Sequence, residues 1–192
     1  MVTVGVLAFH GDFAEHLQVL ADLGVPAIEV RGLEDLKSVD RLIIPGGEST
    51  VMAKFLEQTG VGAEVLRRAG KAERAGRLDV YGTCAGAILL AKKATGKNAP
   101  ATLGLIDIDI ERNAYGTQVD SFEAVLTVKG IKDPVDVSFI RAPVITRVGK
   151  GVEILASYQG KPVLVRQGNV LAGTFHPEVR GQTKIHEMFV AL

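Results

Sequence analysis

The sequence predicts a single α/β domain in which helices cover both faces of a mostly parallel sheet. Strand-like and helix-like segments alternate through the first half of the 192 residues, which is typical of β-α-β units. Three predicted strands end at glycine-containing turns, after residues 9, 44 and 81. A chain of about 100 to 200 residues normally closes around one core. We therefore expect residues 1–192 to form one three-layer α/β/α domain.

The first half contains four predicted strands. An apolar opening strand is followed by a helix with apolar residues at helical spacing: Phe13, Leu17 and Leu20. Asp12 and Glu15 resemble a capping box at the start of that helix. A second strand at Ala27–Val30 is expected to lead through a short turn to a third at Arg41–Ile44. Helical composition returns at 51–56 and 63–75, before a fourth strand at 78–81.

The second half changes character. Short β-like runs are separated by Gly, Pro, Asn or Asp, at 105–110, 122–128, 135–140, 143–148, 152–158, 162–166 and 170–175. This spacing favours antiparallel hairpins or an added sheet edge. A final helix carries Ile185, Met188, Phe189 and Leu192 on one face, and 92–100 is expected to be the most polar loop. The predicted architecture is flavodoxin-like, a mostly parallel sheet with an added antiparallel portion, and ligands bind such sheets beyond the carboxyl ends of the strands.

Composition excludes several classes of protein. Lys plus Arg and Asp plus Glu number 22 each, so the formal charge is zero, which gives no general attraction for nucleic acid or acidic membranes. The sequence has neither an apolar run long enough to span a membrane nor a signal peptide. One cysteine allows neither an internal disulfide nor a structural zinc site of several thiolates. We expect a cytoplasmic protein without a bound metal or cofactor.

The single cysteine lies in the most informative segment. Cys84 stands between Gly82 and Gly86 where an apolar strand passes into an apolar helix. A strand-turn-helix of the form G-x-nucleophile-x-G forces a nucleophile into a tight turn, where small neighbours are needed because the backbone is crowded. The following helix would point its amino terminus at the sulfur and favour the thiolate. The alternative interpretation is a buried structural cysteine.

A histidine and a glutamate follow the last predicted strand. His176 can take a proton from a thiol and give one to a leaving amine near neutral pH. Glu178 comes two residues later and, on an extended chain, lies on the same side, where it can orient the imidazole. Cys84, His176 and Glu178 thus form a candidate catalytic triad. Alone, the H-P-E tripeptide also fits a strand-end turn with a solvated Glu178.

Paired glycines end the third strand. Attack on an amide carbon creates an oxyanion, which fixed backbone N–H groups stabilise. The amides of Gly47 and Ala85 are our candidates for these donors. A phosphate-binding loop is the competing interpretation, but the segment lacks the lysine and the glycine spacing of the known phosphate motifs.

The sequence contains five separated motifs: Pro45 to Thr50, Gly82 to Gly86, Glu111 to Gly116, Phe139 to Pro143 and Phe175 to Glu178. They resemble those of the triad-type (class I) glutamine amidotransferases, and most closely those of the glutaminase subunits of pyridoxal 5′-phosphate synthases. They occur in the same order as in that family, and the resemblance covers essentially the whole chain. It implies a glutaminase domain that releases ammonia for a partner synthase.

The resemblance assigns a role to individual residues. Cys84 would form a glutamyl thioester, His176 would act as base and then acid, and Glu178 would orient it. Six residues match the family's glutamine contacts: Gly46, Gly47, Glu48, Arg112, Ile140 and Arg141. The implied partner is the (β/α)8-barrel subunit of pyridoxal 5′-phosphate synthase, to which the chain would deliver ammonia in a hetero-oligomer.

The chain departs from the family pattern at two positions. His10 replaces a common Gln after the first strand, and it is either an alternative donor or a satisfied polar residue at a strand end. Thr117 stands where an Arg is frequent. His16 and His186 are expected to be surface or packing residues on helices.

Other functions remain open from the sequence. One is a glutaminase of another pathway, such as imidazole glycerol phosphate synthesis. A non-catalytic flavodoxin-like module with a reactive thiol is another, and a cysteine peptidase lies between the two.

Overall fold

The computed structural model of the chain describes residues 2–73, 75–112 and 121–192. The helices are α1 (Phe13–Asp22), α2 (Leu33–Lys37), α3 (Ser49–Gln58), α4 (Val61–Ala69), α5 (Ala85–Leu90) and α6 (Lys184–Val190). The strands are β1 (Val4–Leu7), β2 (Ala27–Val30), β3 (Arg41–Ile44), β4 (Asp79–Thr83), β5 (Ala91–Thr95), β6 (Ile106–Glu111), β7 (Phe122–Leu126), β8 (Val135–Phe139), β9 (Val144–Val148), β10 (Glu153–Tyr158), β11 (Lys161–Gln167) and β12 (Val170–Gly173).

The main sheet has seven strands in the order β10-β11-β12-β4-β3-β1-β2. The strands from β12 to β2 run parallel, whereas β11 pairs antiparallel with both β12 and β10. Every residue of β1, β3, β4 and β12 is buried, as expected for parallel strands covered on both faces. The predicted α/β architecture, with an antiparallel portion added at one edge, is confirmed.

Two smaller sheets extend the domain. One has the order β5-β6-β9, and the other is the β7–β8 hairpin. The hairpin is joined to the main sheet next to β12, because the amide of His176 donates to the carbonyl of Ser138 at 2.8 Å and the amide of Ser138 donates back at 3.3 Å. The second half of the chain therefore supports the loop that follows β12.

Apolar residues on the two faces of the main sheet form separate cores. In β3, Leu42 and Ile44 belong to the core beneath α2 to α5, whereas Ile43 belongs to the core beneath α1, α6 and the β7–β8 hairpin. This alternation follows from the two-residue period of a strand. The sheet is thus the middle of three layers.

Several sequence-based boundaries were wrong. The link between β2 and β3 contains α2 and is not a short turn. The expected loop at 92–100 begins with β5, whose two lysines, Lys92 and Lys93, are exposed while its backbone pairs with β6. The helix expected at 63–75 begins at Val61 and ends at Ala69, with Gly70 as its C-cap. None of the helices in the described part of the chain is long and apolar enough to cross a bilayer.

Burial in α2 predicts a difference between two similar substitutions. Leu36 is fully buried, whereas Leu33 in the same helix is 37% exposed. Leu36→Ala should lower the free energy of unfolding by about 2–5 kcal/mol, because it removes buried methyl groups and leaves a cavity. Leu33→Ala should cost about 1 kcal/mol or less. Urea denaturation followed by circular dichroism measures both, and equal losses would contradict the assignment of α2 to the core.

Candidate active site

Cys84 occupies a strained turn between β4 and α5. Its backbone has φ 47° and ψ −101°, in the region that residues other than glycine rarely adopt. A side chain at Gly86 would overlap the carbonyl of Ile44, and a Cβ at Gly82 would lie 2.5 Å from the carbonyl carbon of Gly86. The amide of Cys84 donates to the carbonyl of Gly173 at 2.8 Å. The predicted tight strand-turn-helix around Cys84 is therefore present, and it depends on both glycines.

His176 and Glu178 form the expected pair beside the cysteine. His176 Nδ1 lies 2.7 Å from Glu178 Oε1, and both side chains are buried. The extended conformation predicted between these two residues is wrong. Pro177 has helical angles and Glu178 begins a short 3-10 turn, so the contact arises from a turn. With Nδ1 engaged by Glu178, the other ring nitrogen is left for Cys84.

The electrostatics of the pair favour a charged imidazole. Burial lowers the pKa of His176, but the negative charge of Cys84, together with hydrogen bonds to Asp12, Cys84 and Glu178, raises it well above its ordinary value. Burial raises the pKa of Glu178, and the hydrogen bond with His176 partly offsets this rise. A cationic imidazole next to a sulfur atom is the arrangement that stabilises a nucleophilic thiolate.

Asp12 is a member of the site that the sequence analysis missed. We expected its carboxylate to cap α1, yet among the described residues it makes no capping hydrogen bond. Its Oδ2 instead lies 3.2 Å from Nδ1 of His176. Asp12, His176 and Glu178 bring ligand atoms within 4.8 Å of one another, but both carboxylates share the one ring nitrogen, which fits a shared proton better than a metal ion.

A pocket of about 190 Å³ opens above the cysteine. It contains most of the residues predicted from the sequence, namely Gly47, Glu48, Cys84, Ala85, Arg112, Ile140, Arg141 and His176. Gly46 lies just behind His176, where a Cβ would overlap the imidazole, and Glu178 is buried behind the same ring. A groove of about 550 Å³ between α3, α4 and residues 100–103 is larger but holds none of the triad.

Glu48 and Arg112 form a charged pair on one wall of this pocket. Arg112 donates to Glu48 Oε1 at 3.0 Å and also to the carbonyls of Lys97 and Asn98. The pKa of Glu48 is lowered, chiefly by the hydrogen bond that its carboxylate accepts from the Thr50 hydroxyl. The Arg112 side chain is only 10% exposed, so a freely solvated surface charge is excluded. The rest of its motif, with Thr117, lies outside the described residues.

His10 holds the loop of residues 45–48 that follows β3, here called the glycine loop. Gly47 has φ 141°, and a Cβ there would lie 2.9 Å from His10 Nδ1. The same nitrogen accepts a 3.4 Å hydrogen bond from the amide of Glu48. His10 therefore contacts the loop backbone and accepts a hydrogen bond there.

The segment after β8 forms another part of the pocket lining. The sulfur of Cys84 lies 3.8 Å from the carbonyl oxygen of Ile140. Arg141 has φ 46°, and it is exposed at the pocket. Two residues other than glycine, Cys84 and Arg141, thus adopt positive φ around one cavity, as is common where a site constrains the backbone.

A buried polar layer lies beneath the triad. His16 and His186 are fully buried, so the expectation of surface residues was wrong and that of packing residues was right. His16 contacts His186 at 2.8 Å and the hydroxyl of Thr83 at 3.1 Å, and it lies 3.6 Å from Glu178. Burial lowers the pKa of His16 well below its ordinary value and that of His186 to about 4. Both imidazoles are therefore neutral at pH 7.

Comparison with known proteins identifies relatives over nearly the whole chain. A model of the SNO glutamine amidotransferase family matches residues 6–192. A Thermus thermophilus protein named pyridoxal 5′-phosphate synthase subunit PdxT is 48% identical over 189 residues, covering 98% of this chain and 96% of the relative. The protein of the same name from Mycobacteroides abscessus is 50% identical over 188 residues, covering 97% and 95%. A crystal structure of a glutamine amidotransferase is 47% identical, with a TM-score of 0.90, covering 98% and 97%.

The buried histidines predict how stability depends on pH. The pKa of His186 is about 4 in the folded chain and about 6.5 when unfolded, so the unfolded state takes up this proton first as the pH falls. The free energy of unfolding should therefore drop between pH 7 and pH 5, by about 2 kcal/mol from His186 alone. Urea denaturation at both pH values measures the drop. It should shrink in His186→Gln, and an unchanged drop would contradict a neutral buried His186.

Proposed function

The chain belongs to the SNO glutamine amidotransferase family, and we propose that it is the glutaminase subunit of a pyridoxal 5′-phosphate synthase. It hydrolyses L-glutamine to L-glutamate and ammonia, and residues 1–192 form the glutaminase domain. The observation that carries this proposal is the strained Cys84 beside the buried His176–Glu178 pair, in a pocket that also contains Arg112 and Glu48. Relatives named as subunits of that synthase, close to half identical over nearly the full chain, support the choice of pathway.

The reaction proceeds through a thioester. The Cys84 thiolate attacks the side-chain amide carbon of glutamine, and the carbonyl oxygen becomes an oxyanion that accepts hydrogen bonds from the amides of Gly47 and Ala85. His176 then gives a proton to the leaving nitrogen, and ammonia departs as the carbon–nitrogen bond breaks. His176 next takes a proton from water, which attacks the thioester, releases glutamate and frees the sulfur. Glu178 keeps the imidazole oriented and stabilises its charge.

The pocket offers groups for both ends of an amino acid. A carboxylate is bound by a guanidinium, and an ammonium by a carboxylate or by carbonyl oxygens. Arg112 and Arg141 would hold the carboxylate of glutamine, and Glu48 its ammonium. The backbone of Gly46, Gly47 and Ile140 would fix the side chain over Cys84. No cofactor enters this chemistry.

Ammonia must reach its acceptor without being protonated. It is mostly ammonium in water near neutral pH, so a sheltered path preserves the nucleophilic form. We therefore propose a hetero-oligomer with the (β/α)8-barrel subunit of the synthase, in which the isolated chain has low activity. The cytoplasm is the compartment in which the single catalytic thiol stays reduced.

The first test is ammonia release from glutamine by the purified chain, with and without the barrel subunit of a pyridoxal 5′-phosphate synthase. We expect strong stimulation by that subunit. Cys84→Ala should lower the stimulated rate by roughly 10³-fold or more, because no other group can form the thioester. The variant should keep the melting temperature of the parent and still co-elute with the barrel subunit.

Other outcomes identify the alternatives. Equal activity with and without the barrel subunit would indicate a stand-alone amidohydrolase. Stimulation by the cyclase of imidazole glycerol phosphate synthase instead would reassign the pathway. No release in either condition, with the protein folded and Cys84 reduced, would leave a non-catalytic thiol module.

Arg112 has a separate test, in substrate binding. Arg112→Gln removes a charged contact with the carboxylate of glutamine, so KM should rise by roughly 10-fold to 100-fold, with a smaller change in kcat. The matched control is Arg67→Gln on α4, which removes an exposed arginine that pairs with Glu64 and should leave both constants unchanged. An unchanged KM in Arg112→Gln would exclude it from the binding site.

A further inference from the structure

Asp12 is placed where a helix cap is expected, yet its carboxylate is used elsewhere. It occupies the N-cap position of α1, where an aspartate normally stabilises the helix by accepting hydrogen bonds from its first amides. Among the described residues no such bond is made. The side chain is 36% exposed, and it turns toward the pocket instead, where Oδ2 lies 3.2 Å from His176 Nδ1. Asp12 therefore contacts His176 in the candidate site and makes no hydrogen bond to the first amides of α1.

The contact is confined by the glycine loop. A Cβ at Gly46 would overlap Cε1 of His176 and would lie 2.9 Å from Asp12 Oδ2. The loop backbone therefore passes directly over the place where the two side chains meet. Nδ1 of His176 carries one proton at most. Two carboxylate oxygens lie near this nitrogen, Oε1 of Glu178 at 2.7 Å and Oδ2 of Asp12 at 3.2 Å. One ring nitrogen thus has two acidic partners, one buried and one at the pocket.

We propose that Asp12 is a second positioning residue for His176, sharing the Nδ1 proton with Glu178 and thereby stabilising the imidazolium that partners the Cys84 thiolate. The inference rests on the proposed function. It adds to the triad a fourth side chain that acts through His176 and leaves the covalent steps unchanged. The lowered pKa of Asp12, caused chiefly by the hydrogen bond to His176, agrees with a carboxylate that stays ionised beside the ring.

Other charged groups near His176 do not duplicate this role. His16 is neutral because burial lowers its pKa. Glu48 and Arg112 pair with each other at 3.0 Å. The groups that face the site are Cys84, Glu178, Asp12, His10, His16, Glu48, Arg112 and Arg141. Of these, only Glu178 and Asp12 are carboxylates within hydrogen-bonding range of the ring among the described residues.

The test is the pH dependence of kcat/KM for glutamine in the complex with the barrel subunit. Loss of the His176 proton sets the alkaline limb of that profile when a thiolate–imidazolium pair is the active form. Asp12→Asn removes a negative charge next to the ring, so the pKa of His176 falls and the alkaline limb should move to lower pH by roughly half to one unit. The shift is small because Asp12 is partly exposed and its charge is screened.

The matched control is Glu15→Gln, which removes the same charge from an exposed position one turn along α1 and should leave the limb in place. An equal shift in both variants would mean that any negative charge near the site has this effect, whether or not it contacts His176. That result would overturn the proposal. A uniform loss of kcat/KM without any shift of the limb, or a change in KM alone, would mean that Asp12 only lines the pocket. Either result would also overturn the proposal.

A second readout uses the isolated chain and separates this inference from the proposed function. Cys84 is the only cysteine. The rate of its alkylation by iodoacetamide, followed by mass spectrometry, therefore measures the reactivity of this one thiolate. Asp12→Asn should slow alkylation at a fixed pH of 6 by roughly threefold to tenfold, because weakening the imidazolium shifts its proton from His176 back to the sulfur, and Glu15→Gln should not. Lack of glutaminase activity in the parent would defeat the proposed function, whereas unchanged alkylation in Asp12→Asn would defeat only this inference.

Discussion

The site depends on a close backbone contact between the start of α5 and the end of β3. Gly86 lies directly against the carbonyl of Ile44, where any side chain would overlap it, and this contact sets how near the helix comes to the sheet. Because of this tight approach, Cys84 adopts a positive φ, a conformation that costs of order 1–3 kcal/mol in residues other than glycine. The hydrogen bond to Gly173 in the next strand and the buried strands on both sides hold it there.

The parallel sheet explains why distant segments meet at this cysteine. The loops after β1, β3, β4 and β12 all leave from the carboxyl edge, and they carry Asp12, the glycine loop, Cys84 and His176. Other pocket residues follow strands of the two smaller sheets. Arg112 follows β6, and Ile140 and Arg141 follow β8. The two smaller sheets therefore lead into part of the pocket lining, while the parallel strands of the main sheet lead into Asp12, Cys84 and His176.

The sequence predicted what local patterns encode and missed what depends on tertiary contacts. The strand-turn-glycine patterns located the tight turn at Cys84 and the glycine loop, because their spacing is fixed by backbone geometry. The contact between His176 and Glu178 arises from a turn, where an extended chain was predicted. The five residues of α2 are too few to show a helical period, so Leu36 gave no signal before its burial was known. β5 carries exposed lysines that look like a loop, and only its pairing with β6 makes it a strand. Asp12 satisfied a capping pattern, which concealed its contact with a residue 164 positions later.

The two carboxylates on His176 are not equivalent, and their surroundings explain why. Glu178 is buried, so burial raises its pKa, and its charge is stable chiefly because the imidazolium is beside it. Asp12 faces the pocket, where the hydrogen bond to His176 outweighs a smaller cost of burial and lowers its pKa. A buried partner fixes the orientation of a ring well but tolerates a lone charge poorly. A partly solvated partner holds its charge more readily but orients less strictly. Placing one of each on the same nitrogen gives the ring both a fixed orientation and a persistent counter-charge.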